Sequence, residues 1–520
     1  MLLIIVLILL FFCLTCSVDM IHDFKGRTVN LTLFFSGDGH KIGNYHEMNR
    51  FQIQIKNPIE NNRYLTDVQM HARLVSPTTI VPIDIHSSNI TYFFNYTIYD
   101  IENYTLQVRI SWLQGGLFDD LLKEINYDIK NLSNEFFLKY SNHIDEIVYE
   151  NKITLSNNKE IERMKIKPNC TIDNIDGAGR WILVSEGKDC PHDKCVGSSE
   201  SIDYLNDIFN FNGGRFVWSP FSCNIVLYTK KMLKNCFLNK NIRSLAFTGD
   251  SLLREFYQNL YILLADSTIK LQKLKKTYVL EFNSSNMPFR LEYYIDSKGW
   301  KDIRHIDVNV INVPIHKIAV RGIADRSLMD QVSSILSNDF YRSVKHRQNN
   351  NNSLWFYYQH PAIQREDPRV DRLHLQFYNT SKDVSPFAMM TRNRQEIIAK
   401  GIEKSNFLKN INGLINGLKI SDSRWESSHD GIHYSLLTDD LSIVKDRNCS
   451  NVGKWINGYV KGGNNLCKDG SPYSIKLYPG INKCIDNDIY FCKQHSYDLT
   501  NFFGGVSRMI TQVLLNFICN

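Results

Sequence analysis

Residues 242–265 read IRSLAFTGDSLLREFYQNLYILLA. The run 242–247 is short and apolar, as in a buried strand, whereas 252–265 repeats apolar residues at helical spacing without Pro or Gly. Gly249, Asp250 and Ser251 are therefore predicted to form the elbow between a strand and a helix. Such an elbow sets a serine hydroxyl at a helix N-terminus, where backbone N–H groups can stabilise an oxyanion. The simpler alternative is that Asp250 or Ser251 caps the helix, a role that both residue types favour.

A second motif, Asp-Gly-Ile-His-Tyr, occupies residues 430–434. Asp430 and His433 are three positions apart, so within one turn their side chains lie on one side. The carboxylate can then hold the imidazole Nδ1–H while Nε2 faces a serine. His429 lacks this spacing, and a surface histidine beside a solvated aspartate is the alternative interpretation. Ser251, His433 and Asp430 are thus the predicted nucleophile, general base and orienting carboxylate of acyl-transfer chemistry.

Further fragments accompany these two motifs in a fixed order. They are GRWI at 179–182 after Cys170, WSP at 218–220 before Cys223, NCFL at 235–238, and NFICN at 516–520. With GDSLLR and DGIHY, they make the chain similar to the PC-esterase branch of the SGNH (GDSL-like) hydrolase superfamily. This branch includes trichome-birefringence-like and sialate O-acetyltransferases and the neurexophilin-and-PC-esterase (NXPE) proteins. The resemblance implies the roles given above for Ser251, His433 and Asp430.

One superfamily feature is missing from the sequence. No Gly-x-Asn-Asp block is found for the remaining oxyanion donors. The nearest candidate is LWFYYQHP at 354–361, where Gln359 or His360 points into the site or is an ordinary loop residue. Arg254, one turn after Ser251, either binds a carboxylate of a glycan or acyl donor or is a structural surface arginine.

The N-terminus predicts entry into the secretory pathway. Residues 2–12 (LLIIVLILLFF) form an unbroken apolar core, and the small residues that follow favour a signal peptide over 1–17. The segment is short for a membrane span. Because no Lys or Arg precedes it, retention as an anchor is the alternative. No later apolar stretch is long enough to span a membrane, so no stable membrane span is expected.

Ten cysteines remain after the predicted cleavage, at 170, 190, 195, 223, 236, 449, 467, 484, 492 and 519. In an oxidising compartment an even number is typical of disulfide pairing. Cys190 and Cys195 with His192 could be drawn as a metal site, but no second pair follows at zinc spacing, so we predict no metal. Glycosylation sequons, which fit the secretory pathway, begin at Asn30, Asn89, Asn95, Asn103, Asn131, Asn169, Asn283, Asn351, Asn379 and Asn448.

The charge pattern argues against a nucleic-acid partner. The chain has 60 basic and 54 acidic side chains, and its one compact basic run is KLQKLKK at 270–276. This run lacks interleaved aromatic residues and is most simply a solvated face.

The 520 residues leave room for two or three domains. Strand-like runs at 29–35, 51–56, 68–75, 90–99 and 104–112 predict an immunoglobulin-like β-sandwich over 18–115. Tyr104 is placed as its tyrosine corner. An Ig-like module before a PC-esterase domain is also the NXPE arrangement. Residues 116–168, with helical periodicity at 117–132, predict a helical connector.

The remainder, 169–520, is predicted to be an α/β, three-layer α/β/α SGNH-like catalytic domain with a mostly parallel sheet. Its expected elements are a strand at 354–358, a helix at 389–404, a strand at 415–421 and a last helix at 506–518. Ligands bind beyond the carboxyl ends of such strands, where Ser251 and the 430–433 loop both fall. A Cys-rich insertion occupies about 440–500.

These features together predict a secreted or Golgi-lumenal enzyme acting on a polysaccharide or glycoprotein glycan. The family resemblance favours an O-acetyltransferase that uses an acetyl donor of unknown identity as co-substrate and binds no cofactor. A carbohydrate acetyl-esterase would use the same triad. A secreted, non-catalytic NXPE-like ligand or adhesion protein is the alternative from another class.

Overall fold

A computed structural model provides the structure of this protein. It describes residues 15–24, 27–56, 67–88, 91–100, 102–114, 141–155, 167–175, 178–184, 215–228, 230–264, 272–274, 277–284, 287–294, 306–313, 325–337, 353–361, 392–405, 407–424 and 505–520. The chain builds three sheets and combines them with helices. Within these ranges, no helix has both the length and the apolar character needed to cross a bilayer.

The first sheet is antiparallel throughout. Its strands are β1 (Thr15–Phe24), β2 (Arg27–Ser36), β4 (Met48–Lys56), β7 (Asp84–Ser88) and β8 (Thr91–Thr97). Their order is β1-β2-β4-β8-β7. The strands predicted at 29–35, 51–56 and 90–99 are confirmed by β2, β4 and β8.

The second sheet has seven strands and includes two of the family-like motifs. Its members are β3 (Ile42–Gly43), β5 (Asp67–Val75), β6 (Thr79–Pro82), β9 (Tyr104–Gln114), β10 (Ser141–Leu155), β11 (Gly179–Val184) and β12 (Arg215–Pro220). The order is β12-β11-β6-β5-β9-β10-β3, and all pairs except β10 with β3 are antiparallel. The strands β5 and β9 confirm the predictions at 68–75 and 104–112.

These two sheets share one hydrophobic core. In β4, Phe51, Ile53 and Ile55 are buried and the residues between them are more exposed. In β9 of the other sheet, Leu106 and Val108 alternate in the same way and join the same cluster. The period of two places one face of each sheet inward, as in a β-sandwich. The immunoglobulin-like identity of this sandwich stays a prediction.

Tyr104 does not behave as a tyrosine corner. It begins β9 and is buried, and its hydroxyl lies beside the side chain of Thr79. A tyrosine corner would instead donate to an upstream backbone carbonyl. Burial raises the pKa of Tyr104, and the carboxylates of Asp100 and Glu102 raise it further, against the opposing charge of Arg180. The phenol thus lies beside the buried ion pair in which Arg180 Nη2 donates to Asp100 Oδ1 at 3.0 Å.

Two of the predicted domain features differ in the structure. Residues 141–155, expected in a helical connector, form strand β10, so the helical prediction is wrong there. This stretch pairs along the length of β9, and such long-range pairing overrides local propensity. The periodic stretch 117–132 lies outside the described residues. Strands β11 and β12, expected in the catalytic domain, extend the sandwich sheet, because Trp181 pairs with Ile80 on one side and Trp218 on the other.

The third sheet is mostly parallel, as predicted. It contains β13 (Ser244–Thr248), β14 (Gln272–Leu274), β15 (Thr277–Ser284), β16 (Met287–Tyr294), β17 (Val308–Ile311), β18 (Leu354–Gln359) and β19 (Gly413–Asn416). The order is β14-β15-β16-β13-β17-β18-β19. Strands β16, β13, β17, β18 and β19 run parallel, and only β14 and β15 run against a neighbour.

Helical segments pack on the sheet. They are α1 (Lys230–Asn239), α2 (Ser251–Leu264), α3 (Asp325–Ile335), α4 (Arg392–Lys404), α5 (Gly417–Ser421) and α6 (Gly505–Cys519). On one face, Phe256 of α2 meets Tyr358 edge to face, and Phe517 of α6 stacks on Phe356. On the other face, Phe407, which follows α4, packs against Tyr357. The sheet is therefore covered on both faces, as parallel sheets require.

The predicted strand at 415–421 is wrong beyond residue 416. Strand β19 ends at Asn416, and the chain turns directly into helix α5. The Asn416 side chain caps this helix by accepting a hydrogen bond from the Lys419 backbone N–H at 3.0 Å. Ser421 then donates back to the carbonyl of Gly417 at 2.7 Å. Local capping therefore competes with strand extension and wins.

The C-terminal helix α6 supports the loop that enters α1. The Asn516 amide bonds both the N–H and the C=O of Val226, at 2.9 and 2.8 Å. Gln512 does the same for Tyr228, at 2.7 and 3.2 Å. These buried amides replace the neighbouring strand that the 226–228 backbone lacks. A disulfide from Cys236 of α1 to Cys519 of α6 also links these two helices covalently.

A second disulfide joins Cys170 to Cys223.

Replacing Cys236 and Cys519 together by Ser should lower the free energy of unfolding by about 2–5 kcal/mol, because the Cys236–Cys519 bond closes a long loop in the unfolded chain. Denaturant titration measures the loss. Peptide mapping of the unreduced protein is the control and should recover Cys170–Cys223 and Cys236–Cys519 as linked peptides. Free thiols at these four positions would contradict both the structure and an oxidising compartment.

Candidate active site

The predicted strand–elbow–helix is present. All five residues of β13 are buried, and helix α2 begins at Ser251, so the intervening residues 249–250 make the turn. Gly249 is needed there because a Cβ at this position would lie 1.8 Å from Asn312 Oδ1. The absent side chain therefore lets a neighbouring strand end approach the elbow closely.

Asp250 is the cap of the helix. Its Oδ1 accepts a hydrogen bond from the Leu252 backbone N–H at 3.1 Å, and its own carbonyl accepts from Leu253 and Arg254 at 3.1 and 3.3 Å. The capping interpretation is thus correct for Asp250. Ser251 is left as the first helical residue, partly exposed, with the positive end of the helix dipole beside it.

Asn312 holds Asp250 in place, and the sequence interpretation missed it. Its Nδ2 donates to Asp250 Oδ1 at 3.0 Å, and its Oδ1 faces the Asp250 backbone N–H at 3.4 Å. The Asn312 backbone N–H also donates to the Thr248 carbonyl at 3.3 Å. Asn312 has no exposed surface and directly follows β17. The strand-like run VNVI at 308–311, which is followed by an amide, was a sequence signal for this position, of the same kind as the one used for Gln359.

Two tyrosines flank Asp250 from opposite faces of the sheet. The Tyr293 hydroxyl donates to the Asp250 carbonyl at 2.9 Å. Burial raises the pKa of the Tyr357 phenol above its usual range, the Val313 backbone opposes this, and the Asp250 carboxylate adds to it. The Tyr357 phenol therefore stays protonated at neutral pH. The elbow is held by the Tyr293 hydroxyl and by the Asn312 amide.

Two amides of the first turn of α2 take part in the helix cap. Those of Leu252 and Leu253 donate to Asp250. The amide of Ser251 is the candidate oxyanion donor, since it belongs to the predicted nucleophile and lies at the helix N-terminus.

The other polar residues raised by the sequence lie near this edge. Gln359 and His360 are buried where β18 ends, two strands from β13 and so roughly 10 Å across the sheet. They share the carboxyl edge with Ser251, where ligands of parallel sheets bind. Arg254 is half-buried one turn into α2.

The remaining predicted site residues lie outside the described part of the chain. These are Asp430, His433 and the competitor His429, together with Cys190, His192, Cys195 and the insertion at 440–500. The structure thus places Ser251 and its supports, and the triad of Ser251, His433 and Asp430 stays a prediction. In the part of the chain that the structure covers, no group of three His, Cys, Asp or Glu side chains is arranged to hold a metal ion.

Comparison with known proteins adds no family assignment. No protein-family model matches the chain, and a search of curated proteins finds none with significant similarity. The PC-esterase resemblance accordingly rests on the motifs themselves.

Replacing Asn312 by Ala should loosen the elbow, because it leaves the buried Asp250 carboxylate without one donor. We expect a loss of about 1–3 kcal/mol in the free energy of unfolding and a loss of up to about 10²-fold in the rate of Ser251 acylation. Stopped-flow labelling with an activated ester measures that rate.

Asn309→Ala is the matched control. Asn309 lies in β17, the strand that Asn312 follows, and is nearly as buried; its side chain bonds the Ile306 carbonyl, at 3.2 Å. It should cost stability without slowing acylation. Equal rates in the two variants would show that Asn312 does not support the elbow.

Proposed function

We propose that this protein is a serine-dependent acyl-ester enzyme of the secretory pathway that O-acetylates glycans. One observation carries the proposal: Ser251 is the first residue of a helix, at the carboxyl edge of a parallel sheet, and a neighbouring acid already caps that helix. Because Asp250 performs the capping, the Ser251 side chain is not needed for it. The elbow places this hydroxyl where acyl-transfer enzymes hold their nucleophile.

The reaction would use three side chains. Ser251 Oγ bonds to the acetyl carbon of the donor while His433 Nε2 takes the serine proton and delivers it to the departing group. Asp430 holds the imidazole in the required tautomer and stabilises the imidazolium. The oxyanion of each tetrahedral intermediate receives the Ser251 N–H. A sugar hydroxyl then gives its proton to His433 and takes the acetyl group, and the proton returns to Ser251 Oγ.

The proposed compartment is supported by the disulfides Cys170–Cys223 and Cys236–Cys519, because such bonds persist in oxidising environments. Two sequon asparagines, Asn103 and Asn169, are exposed and accessible to glycosylation. The acceptor class, a glycan, comes from the PC-esterase resemblance. A carbohydrate acetyl-esterase with the same residues is the alternative within this chemistry.

The first test asks whether Ser251 is a nucleophile at all. A fluorophosphonate probe should label the folded protein, and Ser251→Ala should abolish the labelling. Ser327→Ala, which removes a partly exposed serine from helix α3, is the control and should label normally. A wild-type protein that stays unlabelled would favour the non-catalytic ligand or adhesion protein.

The second test separates transfer from hydrolysis. Given an acetyl-ester donor and an oligosaccharide, the protein should acetylate the sugar faster than it releases acetate. Asp430→Asn should lower both rates strongly through the wrong imidazole tautomer; the matching change in a serine protease costs about 10⁴-fold. If acetate forms at one rate with or without acceptor, and no sugar type is acetylated, the protein is an esterase.

A further inference from the structure

The N-terminal sandwich contacts residues 420–424, which precede the Asp430–His433 motif in the sequence. His71 of β5 and Asp422, which follows helix α5, form a hydrogen-bonded pair with 2.9 Å between Nδ1 and Oδ1. The His71 side chain is 0% exposed and that of Asp422 is 6% exposed. A polar pair this deeply buried fixes one geometry, since the carboxylate has few alternatives once water is excluded.

Neighbouring residues of the same segment are held in the same way. Arg73, two residues along β5, donates from Nη1 to the Ser423 carbonyl at 3.0 Å. Its Nε donates to Gln107 Oε1 of the neighbouring strand β9 at 3.0 Å, which orients the guanidinium group. Alternation along β5 puts His71 and Arg73 on one face of the sandwich sheet. That face therefore presents two side chains to Asp422 and Ser423.

Strand β11 adds a third point of attachment. Trp181 Nε1 donates to the Ile420 carbonyl at 3.0 Å, and the Arg424 guanidinium carbon lies 4.9 Å from the centre of the Trp181 ring. Trp181 has no exposed surface and is packed edge to face on Trp218. We call these contacts between the sandwich sheet and residues 420–424 the seam. The seam engages Ile420, Asp422, Ser423 and Arg424.

The seam bears on where the proposed catalytic residues can lie. Six residues lead from Arg424 to Asp430, and a chain of that length spans at most about 20 Å. The position and direction of the segment at Arg424 therefore limit the space open to Asp430 and His433. A displacement of about 1 Å in catalytic geometry can cost 10²-fold in rate.

We propose that His71 is a positioning residue: by holding Asp422, the N-terminal sandwich fixes the start of the chain that leads to the proposed catalytic residues Asp430 and His433. This inference rests on the proposed function. It makes the sandwich part of the catalytic unit, whereas the sequence predicted a domain separate from the catalytic one. His71 itself touches no substrate and acts through residues 422–433.

The test uses the full-length protein and compares variants of the buried pair. His71→Leu leaves the Asp422 carboxylate buried without its partner. The kcat of acetyl transfer should fall by about 10–10²-fold, with KM nearly unchanged. His71→Gln keeps a donor for Asp422 and should restore most of the activity. His40→Leu is the matched control, because His40 is also buried in the sandwich but its Nδ1 contacts the Gly37 carbonyl, at 2.6 Å, and not the seam.

A double variant separates positioning from stability. His71→Leu with Asp422→Leu removes both polar groups, and such apolar replacement of a buried pair is often neutral or favourable for stability. We expect this variant to melt near the wild-type temperature while its kcat stays low. A double variant that regains the wild-type kcat would show that the pair contributes only stability, and the inference would be wrong.

Amide hydrogen exchange gives a readout that does not depend on turnover. Peptides covering 418–433 should exchange faster in His71→Leu and at the wild-type rate in His40→Leu. Unchanged exchange, or an unchanged kcat in His71→Leu while the wild type is active, overturns the positioning role alone. A wild-type protein that is neither labelled by the fluorophosphonate nor active on any acetyl ester overturns the proposed function, and the positioning role with it.

Discussion

The burial of strand β13 is the constraint on which the candidate site depends. Strands β16 and β17 pair with it on both edges, and every residue from 244 to 248 is buried, so the chain can change direction only where the strand ends. At that point Gly249 admits Asn312, and Asn312 fixes Asp250. The helix N-terminus and Ser251 follow from this arrangement. A single missing side chain thus allows two strand ends and a helix to meet.

The same structure shows how the N-terminal and C-terminal parts of the chain support each other. Strands β11 and β12 extend the sandwich sheet, and helix α6 satisfies the backbone at Val226 and Tyr228 and is tied to α1 by Cys519. Contacts of this kind join residues far apart in sequence. The segment 420–424 likewise has buried partners in the sandwich, namely His71, Arg73 and Trp181. The two parts therefore cannot be regarded as independent modules.

The sequence predicted much of the local structure. The strand before Gly249, the helix after Ser251, strand β18 and the last helix all lie close to their predicted positions, as do five strands of the sandwich. The failures have identifiable causes. Residues 141–155 became a strand because β9 offered a pairing edge, and the strand predicted through 421 stopped at Asn416 because that side chain caps a helix. Asn312 was missed because its importance lies in a contact across 62 positions.

The sequence by itself determined the elements and the chemical inventory. These are the elbow with its serine, the alternation of the sandwich strands, the three-residue spacing of Asp430 and His433, and the even cysteine count. Only the tertiary structure decided that Asp250 caps the helix under the control of Asn312, that Cys170 pairs with Cys223, and that His71 meets Asp422. The reason is physical. Periodicity and capping depend on residues within a few positions, where backbone geometry dictates the neighbours. Contacts between distant residues depend on which buried surfaces close over long loops, and no local pattern encodes that choice.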